Sequence, residues 1–464
     1  RLMGKLSNRT IMSGGHFLRW WGGFLFVLAA PAWGWSDHAS LVWPLLREQP
    51  DIVTRSVPAE SLRQFLTAEQ NAIAQTLDDV EVWSAQNIAH YPLTPASLLW
   101  RNSSGPIVER FLSAIRVNPS LSYPLYVGPS PERSNPVVKP LPWSALSFLG
   151  GGSAQQASRY WSLTAGESVS VAEVLATASD EPDLGMDIGL FDDNGTAFGQ
   201  RYGFGRQPFG NSNLDYGSQA PFHMGFYHLD WLARVAQPDL QRTYPLWRIA
   251  LFGELADVAF RTGHPYWGWR FLGWGLHYVG DLTQPYHAVP LPGVSTLQAL
   301  WSVVQGKTSE MVQLVSNRHG VIESYQYQRL KAALAAEEWS APLLRAVAEQ
   351  RNTEPLEYTS FVMDLTRASV AAAGEFDAAI ATYVSPRFVS DPNFEWTGSG
   401  FEVGLVDTVR RERGQAAVTQ LDAVVAEQLE RFSRVASQWI ARGHLPPEDA
   451  AKRVTQQEAV TANE

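Results

Sequence analysis

From Pro245 to about Val279 the apolar residues recur at helical spacing almost without interruption, and this stretch limits the fold more than any other feature. Its break at Gly263-His264-Pro265 predicts a turn between two helices. The same period returns over Val294 to Val304, Tyr325 to Ala336, Ala341 to Gln350, Glu357 to about Tyr383 and Gly414 to Ala441. Nearer the start it predicts helices over Ser36 to Glu48 and Pro58 to about Asp79, with Ser61 and Thr67 as caps. No run alternates apolar and polar residues as a large sheet requires, and no fixed repeat is present. The expected fold is therefore all-α.

Two stretches depart from that period. Residues 91–168 are rich in Pro, Ser and Gly, including Gly150-Gly151-Gly152, and predict a loop-rich insertion. Residues 179–216 are dense in Asp, Gly and Asn and lead into Phe222-His223-Met224-Gly225-Phe226-Tyr227-His228. The expectation is one helical domain over 33–450 followed by a polar tail, 451–464.

Ahead of that domain, Arg1, Lys5, Arg9 and Arg19 precede the apolar run Phe24–Ala30, which ends in Ala30-Pro31-Ala32. A basic region, a short apolar core and a small-x-small site form an export signal, and the run is too short to span a bilayer. Residues 1–32 are thus expected to be removed. Cleavage after Ala32 makes Trp33 the first mature residue, in the periplasm or outside the cell.

Charge and composition then exclude several functions. A net charge of −10 argues against a broad basic surface for duplex nucleic acid, whose affinity rests on Lys and Arg neutralising phosphate, and leaves room for a narrow cationic or metal-lined site for one phosphate. The chain has no cysteine, so disulfides, thiolate-bound zinc and thiol nucleophiles are all absent. Any metal must be held by His, Asp, Glu or backbone atoms. No Gly-x-Ser-x-Gly elbow or GxxxxGK[ST] loop occurs, which disfavours a serine hydrolase and a P-loop nucleotide enzyme.

The chemistry concentrates in Gly275-Leu276-His277-Tyr278-Val279-Gly280-Asp281-Leu282-Thr283-Gln284-Pro285-Tyr286-His287. His277 and Asp281 stand four apart, so a helix places both on one face, where they can grip one cation. Pro285 ends or bends that helix and lets His287 return toward the same region. His319 and Glu323 repeat the four-residue spacing. One such pair is usually an ordinary packed histidine beside a surface acid. Two pairs with a histidine between them favour a metal site, because buried unpaired charges are costly. Imidazole and carboxylate without thiolate suit zinc, with manganese or iron as chemical competitors.

The run HYVGDLTQPYH, followed by HGVIE, resembles the signature of the bacterial zinc-dependent phospholipase C family and its relatives, the single-strand-specific zinc nucleases. The resemblance covers the N-terminal tip and roughly residues 180–325. It implies an all-α fold holding three zinc ions. Trp33, through its free amine and carbonyl, and His38 would hold one zinc, and Asp281 would bridge it to a second, bound also by His277. His287, His319 and Glu323 would hold the third. The family adds an upstream Asp and a further His: Asp183 matches its Pro-Asp element, with Asp187 or Asp215 as replacements, and His223 or His228 supplies the imidazole. Asp183 would also be the general base. His90, His264 and His444 fall outside the pattern.

The resemblance thus implies phosphodiester hydrolysis by zinc-activated water, with a phosphatidylcholine-like phospholipid at a membrane or micelle surface as substrate and no protein partner. Glu323 matches the phospholipase branch, whereas the five-residue separation of Trp33 and His38 is similar to the nuclease branch. Cleavage of single-stranded nucleic acid is therefore the alternative, and a secreted protein with purely structural zinc is a third reading. Tyr266-Trp267-Gly268-Trp269 could line a choline or acyl cleft, or simply fill the core.

Overall fold

Proline at the first helical position, where its missing N–H costs nothing, starts the two helices that organise the molecule, Pro245–Arg261 and Pro265–Asp281. In the computed structural model, which describes residues 35–128, 140–149, 160–210, 215–348 and 356–444, they pack side by side across a three-residue turn. Gly263 takes φ +85° there, a value that favours glycine. His264 secures the turn, with Nδ1 2.9 Å from Glu60 and Nε2 3.3 Å from Glu69. The expected export segment, Trp33 and the 451–464 tail lie outside the described residues.

The chain is mostly helical, as its periodicity predicts. Helix 265–281 is buried on every side from Tyr266 to Asp281, which is why its sequence is apolar all round. Helix Val171–Asp180 lies against it so closely that a Cβ on Gly273 would come within 2.4 Å of the Ala178 side chain and 3.0 Å of the Leu175 carbonyl. On another side stands Gln415–Ile440, whose Trp439 indole donates to the Leu272 carbonyl at 2.9 Å. Trp267, Trp269 and Trp274 are all fully buried, and Trp274 donates its indole N–H to Glu181, which also pairs with Arg270. Tyr266-Trp267-Gly268-Trp269 is therefore core.

Helix His38–Arg47 packs on 171–180, Thr308–Ala335 and Pro342–Ala348, and Tyr358–Tyr383 packs on 415–440. One continuous apolar cluster runs from Trp35 to Ile440. The few strands are short: Ser56–Pro58 pairs antiparallel with Ser168–Ser170, Val57 opposite Val169, and Tyr126–Val127 pairs with Trp161–Ser162. Within 91–168 the structure adds a helix, Ile107–Ala114.

Some boundaries differ from expectation. The predicted helix over Pro58 to Asp79 is two helices, Leu62–Ala68 and Gln70–Asn87, separated at Glu69. Ser61 caps the first in a reciprocal capping box with Gln64. Thr67 is no cap; its hydroxyl donates to the Arg63 carbonyl within the helix. Helix 308–335 begins 17 residues before the predicted Tyr325.

Candidate metal centre

The last turn of helix 265–281 carries His277 and Asp281, both fully buried. Beyond it, Leu282 to Gln284 turn the chain into the short helix Pro285–Ala288, which presents His287. The indole of Trp35 donates to Thr283 at 2.8 Å and anchors this turn. His38 opens helix 38–47. Asp37 caps that helix through the Ser40 N–H, and Asp180 accepts from the Ala39 N–H at 3.0 Å. His223 ends the short helix Ala220–His223, tied to His287 by a 2.7 Å bond from the Gly225 N–H to the His287 carbonyl.

These elements bring three groups of ligand-type side chains together, the candidate atoms in each lying within 4.8 Å of one another: His38, Asp183 and His277; His223, His277 and Asp281; His287, His319 and Glu323. All are buried. Asp281 is the hub, with Oδ1 3.3 Å from His38 Nε2 and Oδ2 2.8 Å from His223 Nδ1 and 3.3 Å from His277 Nε2. Its two oxygens therefore face two different groups.

Second contacts fix which imidazole nitrogen is free to bind a cation. His277 Nδ1 is 2.8 Å from the Ser179 carbonyl, and since a carbonyl only accepts, the proton sits on Nδ1 and the lone pair on Nε2. By the same argument His287 donates from Nδ1 to the His223 carbonyl at 2.9 Å. His223 turns Nε2 toward Asp187, 3.3 Å away, leaving Nδ1 to face Asp281 and, at 3.0 Å, His277 Nε2. The lone pair of His277 Nε2, the Nδ1 edge of His223 and a carboxylate oxygen thus converge. Electron pairs so arranged repel unless a proton or a cation lies among them.

The electrostatics make the same demand. Burial opposes ionisation of Asp281, yet His277, His223 and His38 hold its carboxyl well below the ordinary range. Burial also opposes protonation of His223, but Asp187 and Asp281 outweigh it and push the imidazole up to about 10. His38 is pulled down by burial and by neighbouring His277. Burial, with Asp183 and Asp281 adding, drives Glu323 well above the usual carboxylate range. Among the described residues, Asp187 is the one acid of this cluster paired with an arginine, bonded at 2.5 Å by the buried Arg248 and at 2.5 Å by the Tyr278 hydroxyl. Asp183 Oδ1, Asp281 Oδ1, Glu323 Oε1 and both nitrogens of His38 are buried and make no well-directed hydrogen bond among the described residues, although Asp281 Oδ1 faces His38 Nε2 and Glu323 Oε1 faces His319 Nε2. Buried charges persist where they are paired or coordinate metal. The donor set, imidazole and carboxylate without sulfur, fits a cation such as zinc, whose bonds of about 2.0–2.2 Å place neighbouring ligand atoms roughly 3–3.5 Å apart.

In the third group His319 and Glu323 face one another across one helical turn, Nε2 to Oε1 2.6 Å. The Tyr286 ring stacks on His319 with centroids 5.2 Å apart, and its hydroxyl donates to Asp377, which Arg318 also holds. The imidazole plane is thereby set.

Of the residues the sequence singled out, His38, Asp183, His223, His277, Asp281, His287, His319 and Glu323 come together. His228 does not: its Nε2 lies 3.0 Å from the Met363 carbonyl and 3.0 Å from the Thr366 hydroxyl. Asp187 sits behind His223, held by Arg248 and Tyr278, so it orients an imidazole and does not replace Asp183. Trp33 and the Asp215 side chain lie outside the described residues. Sequence reasoning missed the Ser179 carbonyl, the Arg248–Asp187–Tyr278 contacts and the Tyr286–Asp377 support. Their one legible trace was Asp187, four residues after Asp183.

Comparison with protein-family models, curated proteins and solved structures finds no match to this chain.

Proposed function

We propose that the protein is a zinc-dependent phosphodiesterase of the phospholipase C type, exported and matured at Trp33, acting on phosphatidylcholine-like lipids. The observation that carries this reading is Asp281, whose two oxygens serve two adjacent ligand groups with a third group one short turn away. Closed single-ion structural sites use four ligands around one metal and do not share a carboxylate. His38 with Asp281, and Trp33 as the expected added ligand, would hold one ion. Asp183, His223, His277 and Asp281 would hold the second, and His287, His319 and Glu323 the third. Bound there, such ions polarise phosphoryl oxygens, stabilise charge in the transition state and make water acidic enough to attack at neutral pH.

The protein's own groups do the rest. Ser179 and Asp187 keep the His277 and His223 lone pairs aimed inward. Asp183, 8% exposed at the edge of the cluster, has one oxygen 3.7 Å from His277 Nε2 and is the carboxylate placed to take the proton of the attacking water. Surrounding burial keeps bulk water away from the developing charge.

The test offers phosphatidylcholine vesicles and single-stranded DNA in parallel to protein matured to Trp33, with and without a chelator. Release of phosphocholine, abolished by chelation and restored by zinc, is the expected result. Cleavage of DNA alone would move the protein to the nuclease reading. Inertness toward both with tightly held zinc would leave a structural role for the metal.

A further inference from the structure

Among the described residues, five of the eight large hydrophobic side chains exposed to solvent fall on two short helices: Trp231 and Val235 on Trp231–Ala236, and Leu297, Trp301 and Val304 on Thr296–Val304. Trp231 is 74% exposed and Leu297 72%. The Thr296 hydroxyl, donating to Asp230, ties the two helices together at their starts. A helix covering a core normally turns a polar face to water. Helix 296–304 has no charged residue at all, and helix 231–236 has only Arg234.

The inner faces of the same helices are also apolar. Ala233 and Ala236 from one, and Ala299, Leu300 and Val303 from the other, line a cavity of about 370 Å³, within the ~300–1,000 Å³ of small-molecule sites. Most of its wall is apolar. It reaches Ala288, the residue after His287, and two of its wall residues, Phe209 and Pro290, also wall a smaller pocket lined by His319 and Tyr286. An exposed apolar face, an apolar chamber and the His287–His319–Glu323 group are thus contiguous.

We propose that this is a lipid-entry site. Trp231 and Trp301 seat in the interfacial layer of a bilayer, and the cavity receives one alkyl chain of a bilayer lipid while its phosphate head faces the third ligand group. A protein partner or a second copy would cover the outer face but leave the chamber behind it unexplained; an alkyl chain drawn from a membrane accounts for both. Tryptophan, apolar in body with one N–H, is the residue enriched at the headgroup boundary. Among the described residues no helix is long and apolar enough to cross a membrane. Two short helices lying in the interface, with their apolar faces sunk into the acyl boundary, are a peripheral mode of attachment.

The proposal rests on the phosphodiesterase reading for its head-group end, and the experiment separates the two. Zinc-loaded wild-type protein, the W231S/W301S double variant and Leu300→Trp, which fills the chamber from its inner wall, are each measured for sedimentation with phosphatidylcholine vesicles. Hydrolysis is measured on those vesicles and on p-nitrophenyl phosphorylcholine, which has no alkyl chain. The double variant is expected to lose vesicle binding by about tenfold or more, since the two exposed indoles supply much of the apolar area that would enter the bilayer. Leu300→Trp keeps vesicle binding but loses vesicle hydrolysis by a similar factor. Both keep kcat/KM on the alkyl-free diester within about twofold, which also reports an intact fold. Unchanged vesicle binding in the double variant overturns the docking face, and unchanged vesicle hydrolysis by Leu300→Trp overturns the alkyl chamber. A concentration-dependent dimer in light scattering, abolished by the double variant, would reassign the face to a second copy. Tryptophan-dependent vesicle binding with neither substrate hydrolysed would keep the docking face and sink the phosphodiesterase reading instead.

Discussion

Asp281 stands where three imidazoles meet, its carboxylate facing His38, His223 and His277. Asp281→Asn keeps the shape but makes one of the two acceptor positions a donor, aimed at His38 or at the His223–His277 pair. The expected outcome is a loss of at least one equivalent of zinc by elemental analysis together with at least about a hundredfold drop in diester hydrolysis. Full zinc content with full activity would remove the bridging role. Asp187 acts one step further out. Asp187→Asn should weaken metal affinity by about 10–100-fold, the usual cost of disturbing a group that orients a ligand histidine. It should also cost about 3–5 kcal/mol of stability, because the buried Arg248 loses its counter-charge. Tyr278→Phe removes the hydroxyl bond to Asp187, and a long contact to Met186 Sδ, but leaves the carboxylate charge, so it should lower affinity by less than tenfold, and a zinc titration across the two variants ranks charge above hydrogen bond. At this scale the sequence was readable where ligands sit on one helix: the spacing of His277 with Asp281, and of His319 with Glu323, is local geometry. The choice between His223 and His228 was not readable. It depends on how the chain turns after helix 220–223, which sends His228 to Met363 and Thr366 on helix 358–383.

Helices 171–180 and 265–281 form the frame that holds the site, and their separation is set by a missing side chain. Gly273 faces Ala178 and the Leu175 carbonyl with no space for a branched residue, so Gly273→Val must push the two helices apart. Overpacking of this kind costs about 1–3 kcal/mol, visible as a lower denaturant midpoint. The same shift moves the Ser179 carbonyl away from His277 Nδ1, so zinc affinity should fall along with stability. Stability loss at unchanged affinity would show that His277 is aimed by something else. Element boundaries were legible where apolar periodicity was clean, as in 245–261, 265–281 and 415–440. Helix 308–335 extends further than its apolar period because it buries Ser316, Asn317, His319 and Glu323, polar residues that interrupt that period. Strand 56–58 was invisible because its partner, 168–170, lies more than a hundred residues away.

Across the whole molecule the ligand groups draw in segments that are remote in sequence: residue 38, residue 183, residue 223, the 277–287 run and the 319–323 turn. Without cations, Asp183, Asp281 and Glu323 are buried acids with no arginine or lysine paired to them among the described residues, so their charge must be balanced by protons on the imidazoles or on the acids themselves. A cation bound there belongs to the folded state alone, because the unfolded chain scatters its ligands. Each site then adds RT ln(1 + [L]/Kd) to stability, about 4.1 kcal/mol when free metal is a thousand times Kd. Chelation should therefore lower the thermal midpoint by at least about 5 °C, allowing for the small shift per kcal/mol in a chain this long. Zinc should restore it, whereas magnesium should not, since magnesium prefers six oxygen ligands and binds imidazole poorly. Calorimetry on the chelated, zinc-restored and magnesium-supplemented protein checks all three. A midpoint indifferent to chelation would mean that the buried histidines serve as proton carriers for the acids and not as metal ligands, and the proposed chemistry would fall with them.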